Sequence, residues 1–137
     1  MPFVRIHVPQ GLPEATLRSI ADGVHEAMVA TIHVPPGDRF QVLHEHAVGR
    51  LIADGHYLDI RRSDAPVFVQ ITLHAGRPPE KKRALFARIA SELQERAGVR
   101  PEDVLVVLTE NASADWSFGN GEAQALDSGM TPHWDGV

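Results

Sequence analysis

The sequence contains no cysteine, which excludes disulfides, thiolate nucleophiles and cysteine-ligated zinc in one step. No apolar run is long enough to cross a bilayer, and no charged-then-apolar leader opens the chain. Basic clusters are missing too. Eighteen acidic side chains against 13 basic ones give a formal charge of -5, which disfavours nucleic acid as the main partner. The expectation is a cytoplasmic protein with no membrane or nucleic-acid partner. Its 137 residues suit a single domain, 1–137, with an ordinary globular composition of 43% hydrophobic and 23% charged residues.

The chain begins Met1-Pro2-Phe3-Val4-Arg5-Ile6-His7-Val8. Val4, Ile6 and Val8 alternate with Phe3, Arg5 and His7, the period of a strand. A small residue such as Pro2 permits removal of the preceding methionine, and Pro2 would then carry a secondary amine at the mouth of that strand. An α-amino group has a reference pKa of about 8, so burial or a nearby cation makes it a general base near neutrality. The competing reading is that Pro2 simply begins an edge strand.

Gly11-Leu12-Pro13-Glu14 reads as a turn into a helix whose apolar stripe runs from Leu17 through Ile20, Val24 and Met28 to Thr31. Pro35-Pro36-Gly37 stops it. Residues 39–46 form a second strand; both alternating sets contain apolar residues, the pattern of a strand covered on both sides. Residues 47–65 read as a long connection with a short extended piece at Leu51-Ile52. The pattern then restarts, with a strand at 67–73, a helix opened by Pro78-Pro79-Glu80 and ended by Gly98, and a fourth strand at 104–108.

The two halves, about 2–46 and 66–110, match each other. Pro13-Glu14 corresponds to Pro79-Glu80, and Pro36, Asp38, Val42, Leu43 and Glu45 correspond to Pro101, Asp103, Val107, Leu108 and Glu110. The expected fold is therefore α+β: a tandem β-α-β repeat forming a four-stranded sheet with two helices on one face, plus a tail at 111–137. Right-handed crossovers make the strands within each unit parallel, and a sheet covered on one face invites oligomerisation.

The proline after the initiator methionine, the duplicated unit and the segment Glu110-Asn111-Ala112-Ser113-Ala114-Asp115-Trp116-Ser117-Phe118-Gly119 together resemble the tautomerase superfamily, specifically its malonate semialdehyde decarboxylase-like group. Gly37-Asp38-Arg39-Phe40-Gln41-Val42 and the following His44-Glu45-His46 are similar to that group as well. The resemblance implies a homotrimer that needs neither metal nor organic cofactor and acts on a small oxo acid. Pro2 is its catalytic amine, neutral in tautomerases and cationic in decarboxylases. Asp38 matches an aspartate that positions or activates water or substrate, and Trp116 and Phe118 match residues that wall the pocket.

One departure matters. Decarboxylases of the group carry two arginines one residue apart after the third strand, whereas this chain has His74-Ala75-Gly76-Arg77-Pro78. Arg77 alone can grip a carboxylate bidentately. With one cation fewer near it, the amine keeps a higher pKa than in a two-arginine site. The expected site is thus Pro2, Asp38 and Arg77 for chemistry, with His74, Trp116 and Phe118 contacting substrate. Keto–enol tautomerisation leads, with decarboxylase or hydratase activity beside it. The alternatives are a malonate semialdehyde-type decarboxylase proper or a non-catalytic trimeric binding protein. Asp38 has a structural reading too, because Asp103 repeats its setting where no terminal amine exists. His44 and His46 have a spacing that can bind metal, but no third ligand is evident and no metal site is expected.

Overall fold

A computed structural model describes residues 1–129. The second tryptophan, Trp134, and the rest of the tail beyond 129 lie outside the described residues. Four strands and two long helices alternate as β1 (Phe3–Pro9), α1 (Glu14–Ile32), β2 (Gln41–His46), β3 (Val67–His74), α2 (Pro79–Ala97) and β4 (Val104–Asn111), followed by the short helix α3 (Gln124–Ser128). The sheet order is β2-β1-β3-β4. Each β-α-β unit contributes a parallel pair, and the units join through antiparallel β1 and β3.

Period-2 burial drives the central strands. Val4, Ile6 and Val8 of β1 and Val67, Val69, Ile71 and Leu73 of β3 point into one core with Leu17, Ile20, Val24 and Met28 of α1 and Leu85, Ile89 and Leu93 of α2. Both helices therefore cover the same face. The opposite face carries Arg5, His7, Val42, His44 and Gln70, which the strand register places side by side.

The helices end as their sequences require. Proline precedes each first turn, and the chain leaves through a left-handed residue: His33 at φ 56° after α1, Gly98 at φ 67° after α2. The prolines at 35 and 36 thus follow the end of α1 and do not cause it. The repeat is also more regular than the residue matches imply. Glu14–Ile32 corresponds to Pro79–Ala97 and Asp38 to Asp103, so one offset of 65 serves throughout and Pro13 pairs with Pro78.

Three readings change. β2 is not covered on both sides: it is an edge strand without a fully buried residue, and it starts at Gln41. β4 runs on to Asn111 because His74 extends its partner strand. The connection around the short piece at Leu51-Ile52 pairs with no strand, and it also holds a 3-10 turn at Tyr57–Asp59 that the sequence did not suggest. Polar tethers hold it. The Arg62 guanidinium donates to the carbonyls of Asp54 and Tyr57, and Ser63 donates through both its backbone N–H and its hydroxyl to Asp103, each at 2.7 Å.

Candidate functional site

Strand directions gather the candidate residues at one end of the sheet. Antiparallel pairing sets Phe3 opposite Thr72, so the chain's beginning lies beside the end of β3. Parallel pairing sets Val4 beside Gln41 and His74 beside Asn111, which brings the start of β2 and the end of β4 to the same place. Pro2, Asp38, Phe40, His74, Arg77 and the segment after Asn111 therefore converge from four separate stretches of sequence.

Local bonds fix the loop that carries Asp38. His25, buried in α1, donates from Nε2 to the Pro36 carbonyl at 2.9 Å. The Asp38 N–H donates to the Pro35 carbonyl at 2.9 Å, closing a turn. Gln41 donates to the Ala21 carbonyl and Arg39 pairs with Asp22 at 2.7 Å, so the start of β2 is pinned onto α1. Val4 N–H donates to the Phe40 carbonyl at 3.0 Å and sets β1 against it.

In this frame the terminal ammonium of Met1 pairs with Asp38 Oδ2 at 2.9 Å. Pro2 beneath it is buried. Burial, which disfavours the charged form, pushes the amine's pKa below the ordinary α-amino value; the hydrogen bond and charge of Asp38 oppose the shift, and the positive charge of Arg77 adds to it. Arg77 is 5% exposed. Its Nη1 donates to the His74 carbonyl at 3.2 Å, whereas Nε is buried with no partner among the described residues. Burial lowers the guanidinium's pKa, while Asp38 and Glu110 hold it up. A guanidinium remains charged under any of these shifts. An amine with a softened pKa, a carboxylate and a buried cation with a free donor therefore lie together.

An aromatic wall borders them. Trp116 and Phe118 stack with ring centroids 5.5 Å apart at 12°, and Phe118 meets Phe40 at 5.8 Å. The Trp116 indole donates to Asn111 Oδ1 at 2.8 Å, and Gln124 clamps the turn by accepting from Phe118 N–H and donating to the Gly119 carbonyl. The His74 ring is held as well. The Ala75 carbonyl can only accept, so Nδ1 carries a proton, and in a neutral ring Nε2 takes the Ser113 hydroxyl proton at 3.0 Å.

All six expected residues lie at this end of the sheet. Phe40 and Asn111 join them there. Both stand inside the segments that carried the resemblance, yet their roles depend on pairings with Phe118 and Trp116 that spacing alone does not reveal. Among the described residues no group of three or more His, Asp or Glu side chains is placed together as candidate metal ligands.

Comparison with known proteins places these observations. Two family models described as tautomerase enzyme match residues 38–119 and 2–61. A curated relative, the probable tautomerase YusQ of Bacillus subtilis (strain 168), is 39% identical over 93% of this chain and all of its own length. A crystal structure of FG41 malonate semialdehyde decarboxylase inhibited by 3-bromopropiolate superposes with a TM-score of 0.88 at 37% identity, covering 94% of this chain and 98% of that one. A fused 4-OT symmetric trimer does so with a TM-score of 0.78 at 26% identity, covering 93% of this chain and 99% of that one.

Proposed function

The chain belongs to the tautomerase family, and from that premise we propose that it interconverts the keto and enol forms of small 2-oxo acids through the amine of Pro2, freed by removal of Met1. Tautomerase-type chemistry is the family's. The assignment of roles is the proposal, and one observation carries it: the Met1 amine, directly preceding Pro2 in the chain, lies on Asp38 at 2.9 Å with its pKa lowered by burial, close to a buried arginine with an unpartnered Nε, and removal of Met1 would leave the Pro2 amine next to this pair.

The chemistry follows from what each group can hold. Arg77 receives the substrate carboxylate, which gives Nε its missing acceptor and compensates a cation kept from water. With the acid anchored, the neutral Pro2 amine removes a proton from the carbon beside the keto group and returns one to the keto oxygen; the reverse sequence turns enol into ketone. Asp38 holds the ammonium form that exists between the two transfers. His74, Trp116 and Phe118 form the wall for the rest of the substrate. The enzyme works as a homotrimer, a reading supported by the trimeric fused 4-OT it resembles.

A second reading has its own support. The likeness to malonate semialdehyde decarboxylase favours loss of carbon dioxide from a 3-oxo acid, with the same amine acting as a cation beside Arg77. A panel of 2-oxo, 3-oxo and acetylenic acids separates the two, followed by absorbance of the enol and by carbon dioxide release, with intact mass recorded on the same sample. Tautomerase turnover in protein lacking Met1 is the expected result. Equal turnover by protein that retains Met1 would remove the Pro2 amine from the mechanism.

A further inference from the structure

The sheet face away from the helices carries a compact imidazole cluster that the proposed chemistry does not use. His7 of β1 bonds through Nδ1 to His46 Nε2 at 2.9 Å and through Nε2 to Gln70 Oε1 at 2.7 Å. The His44 ring stacks on His7 with centroids 4.8 Å apart at 16°, and His46 lies 5.1 Å from His7. His44 Nε2 is buried without a partner among the described residues.

The strand neighbours of this cluster share one sign, and from the connection Asp64 lines a cavity together with His46. Arg5 and His7 face it from β1, His44 and His46 belong to β2, and β3 contributes only the neutral Gln70. Among the described residues of these strands, Arg5 is the one formal charge on that face at neutral pH. Burial and then the charges of His7, Arg5 and His46 all push the His44 pKa below its ordinary value, and no carboxylate counters them.

This face has a natural occupant. It continues to β4, where Leu105 and Val107 are exposed beside Phe68 and Gln70, and Val42 is exposed on β2. An uncovered sheet face of this kind, with two open edge strands, is suited to further copies of itself. The trimeric form of the fused 4-OT supports that choice.

We propose that the histidine cluster makes the assembly of copies over this face proton-sensitive, closed near pH 8 and released near pH 5. The proposal rests on the trimer of the preceding section and adds its control. Neutral imidazoles can be covered at modest cost. Histidine titrates near pH 6.5, and proton uptake here would place cations about 5 Å apart, beside Arg5, on a surface shut off from water.

Sedimentation of the full chain tests this directly. At pH 8 the mass should be three times the 15.0 kDa of one chain, and at pH 5 it should fall to that of a single chain with far-UV circular dichroism unchanged. His44→Phe preserves a stacked ring without a titrating nitrogen and should move the release midpoint down by half a pH unit or more; His44→Phe with His46→Phe should move it further. A single-chain mass at pH 8 would overturn both the trimer and its switch. A trimer mass unchanged from pH 8 to pH 5, or a midpoint the same in wild type and both variants, would overturn the switch and leave the trimer standing.

Discussion

Asp38 and Asp103 occupy the same turn in the two halves of the chain but serve different partners. Each accepts no help from its own backbone N–H, which donates at 2.9 Å to the carbonyl three residues back, Pro35 in one case and Arg100 in the other. Asp38 then meets a terminal ammonium, while Asp103 takes the N–H and hydroxyl of Ser63, which leads into β3 as the terminus leads into β1. Asp103→Ala should therefore act on stability. It strips two donors of a charged acceptor that is 4% exposed, a loss of about 2–3 kcal/mol or roughly 6–12 °C in Tm. Asp38→Asn should leave Tm within a few degrees of wild type and alter turnover. Thermal melts and rates on both variants check the contrast; equal Tm losses would return Asp38 to a structural role.

Arg77→Met should weaken carboxylate binding without weakening the free fold. The guanidinium is buried with Nε unpartnered and one bond to the His74 carbonyl, so removing it relieves an incompletely paired charge. The expected outcome is a KM about 30–100-fold higher, equivalent to about 2–3 kcal/mol, with an unliganded Tm equal to or above that of wild type. A 2-oxo acid should raise the Tm of wild type and fail to do so for the variant. A large Tm loss without ligand would show that Arg77 braces the turn before α2.

Gly23→Ala should destabilise the protein although alanine is the better helix former. A Cβ at Gly23 would lie 3.2 Å from Leu93 Cδ1 and 3.3 Å from Glu92 Cβ, where α1 crosses α2. Leu93 is fully buried, and Glu92 is gripped by Arg88 and Arg96, so neither yields freely. Overpacking costs about 1–3 kcal/mol against a propensity gain of about 1 kcal/mol. A net loss of up to about 2 kcal/mol should appear in urea unfolding.

How much of this was legible in the sequence depended on burial. β1 and β3 lie in the middle of the sheet with helices on one side, so Val4, Ile6 and Val8 or Val67, Val69 and Ile71 stand out by period. β2 and β4 are edges, and their exposed Val42, Leu43, Leu105 and Val107 blur the alternation. Asp38 was ambiguous for a chemical reason: its setting is repeated at Asp103, and only the terminus beside it differs. Arg77 was visible as a residue, but its burial and its free Nε are properties of the packed turn. The imidazole cluster was half visible. His44 and His46 share a strand, whereas His7 reaches them through the β1–β2 register.

The pH profile distinguishes the two reactions that the amine could support. Burial pushes the Met1 amine below its ordinary value, and the buried Pro2 that follows it should expose an amine lowered by the same cause. A tautomerase uses the neutral amine, so its rate should rise with pH through that pKa and level off above it. A decarboxylase using the ammonium form should lose activity over the same interval. The variants shift the limb in opposite directions. Asp38 favours the charged amine, so Asp38→Asn should move the limb to lower pH; Arg77 disfavours it, so Arg77→Met should move it to higher pH. Burial, the largest cause at this terminus, remains in both variants, so the limb should lie below the value of a solvent-exposed proline amine in wild type and in Asp38→Asn. Rates of enol decay measured from pH 5 to pH 9 give all three curves. A wild-type rate that falls with rising pH would exchange the tautomerase reading for the decarboxylase one, and a limb that neither substitution moves would place the titrating group somewhere other than the terminal amine.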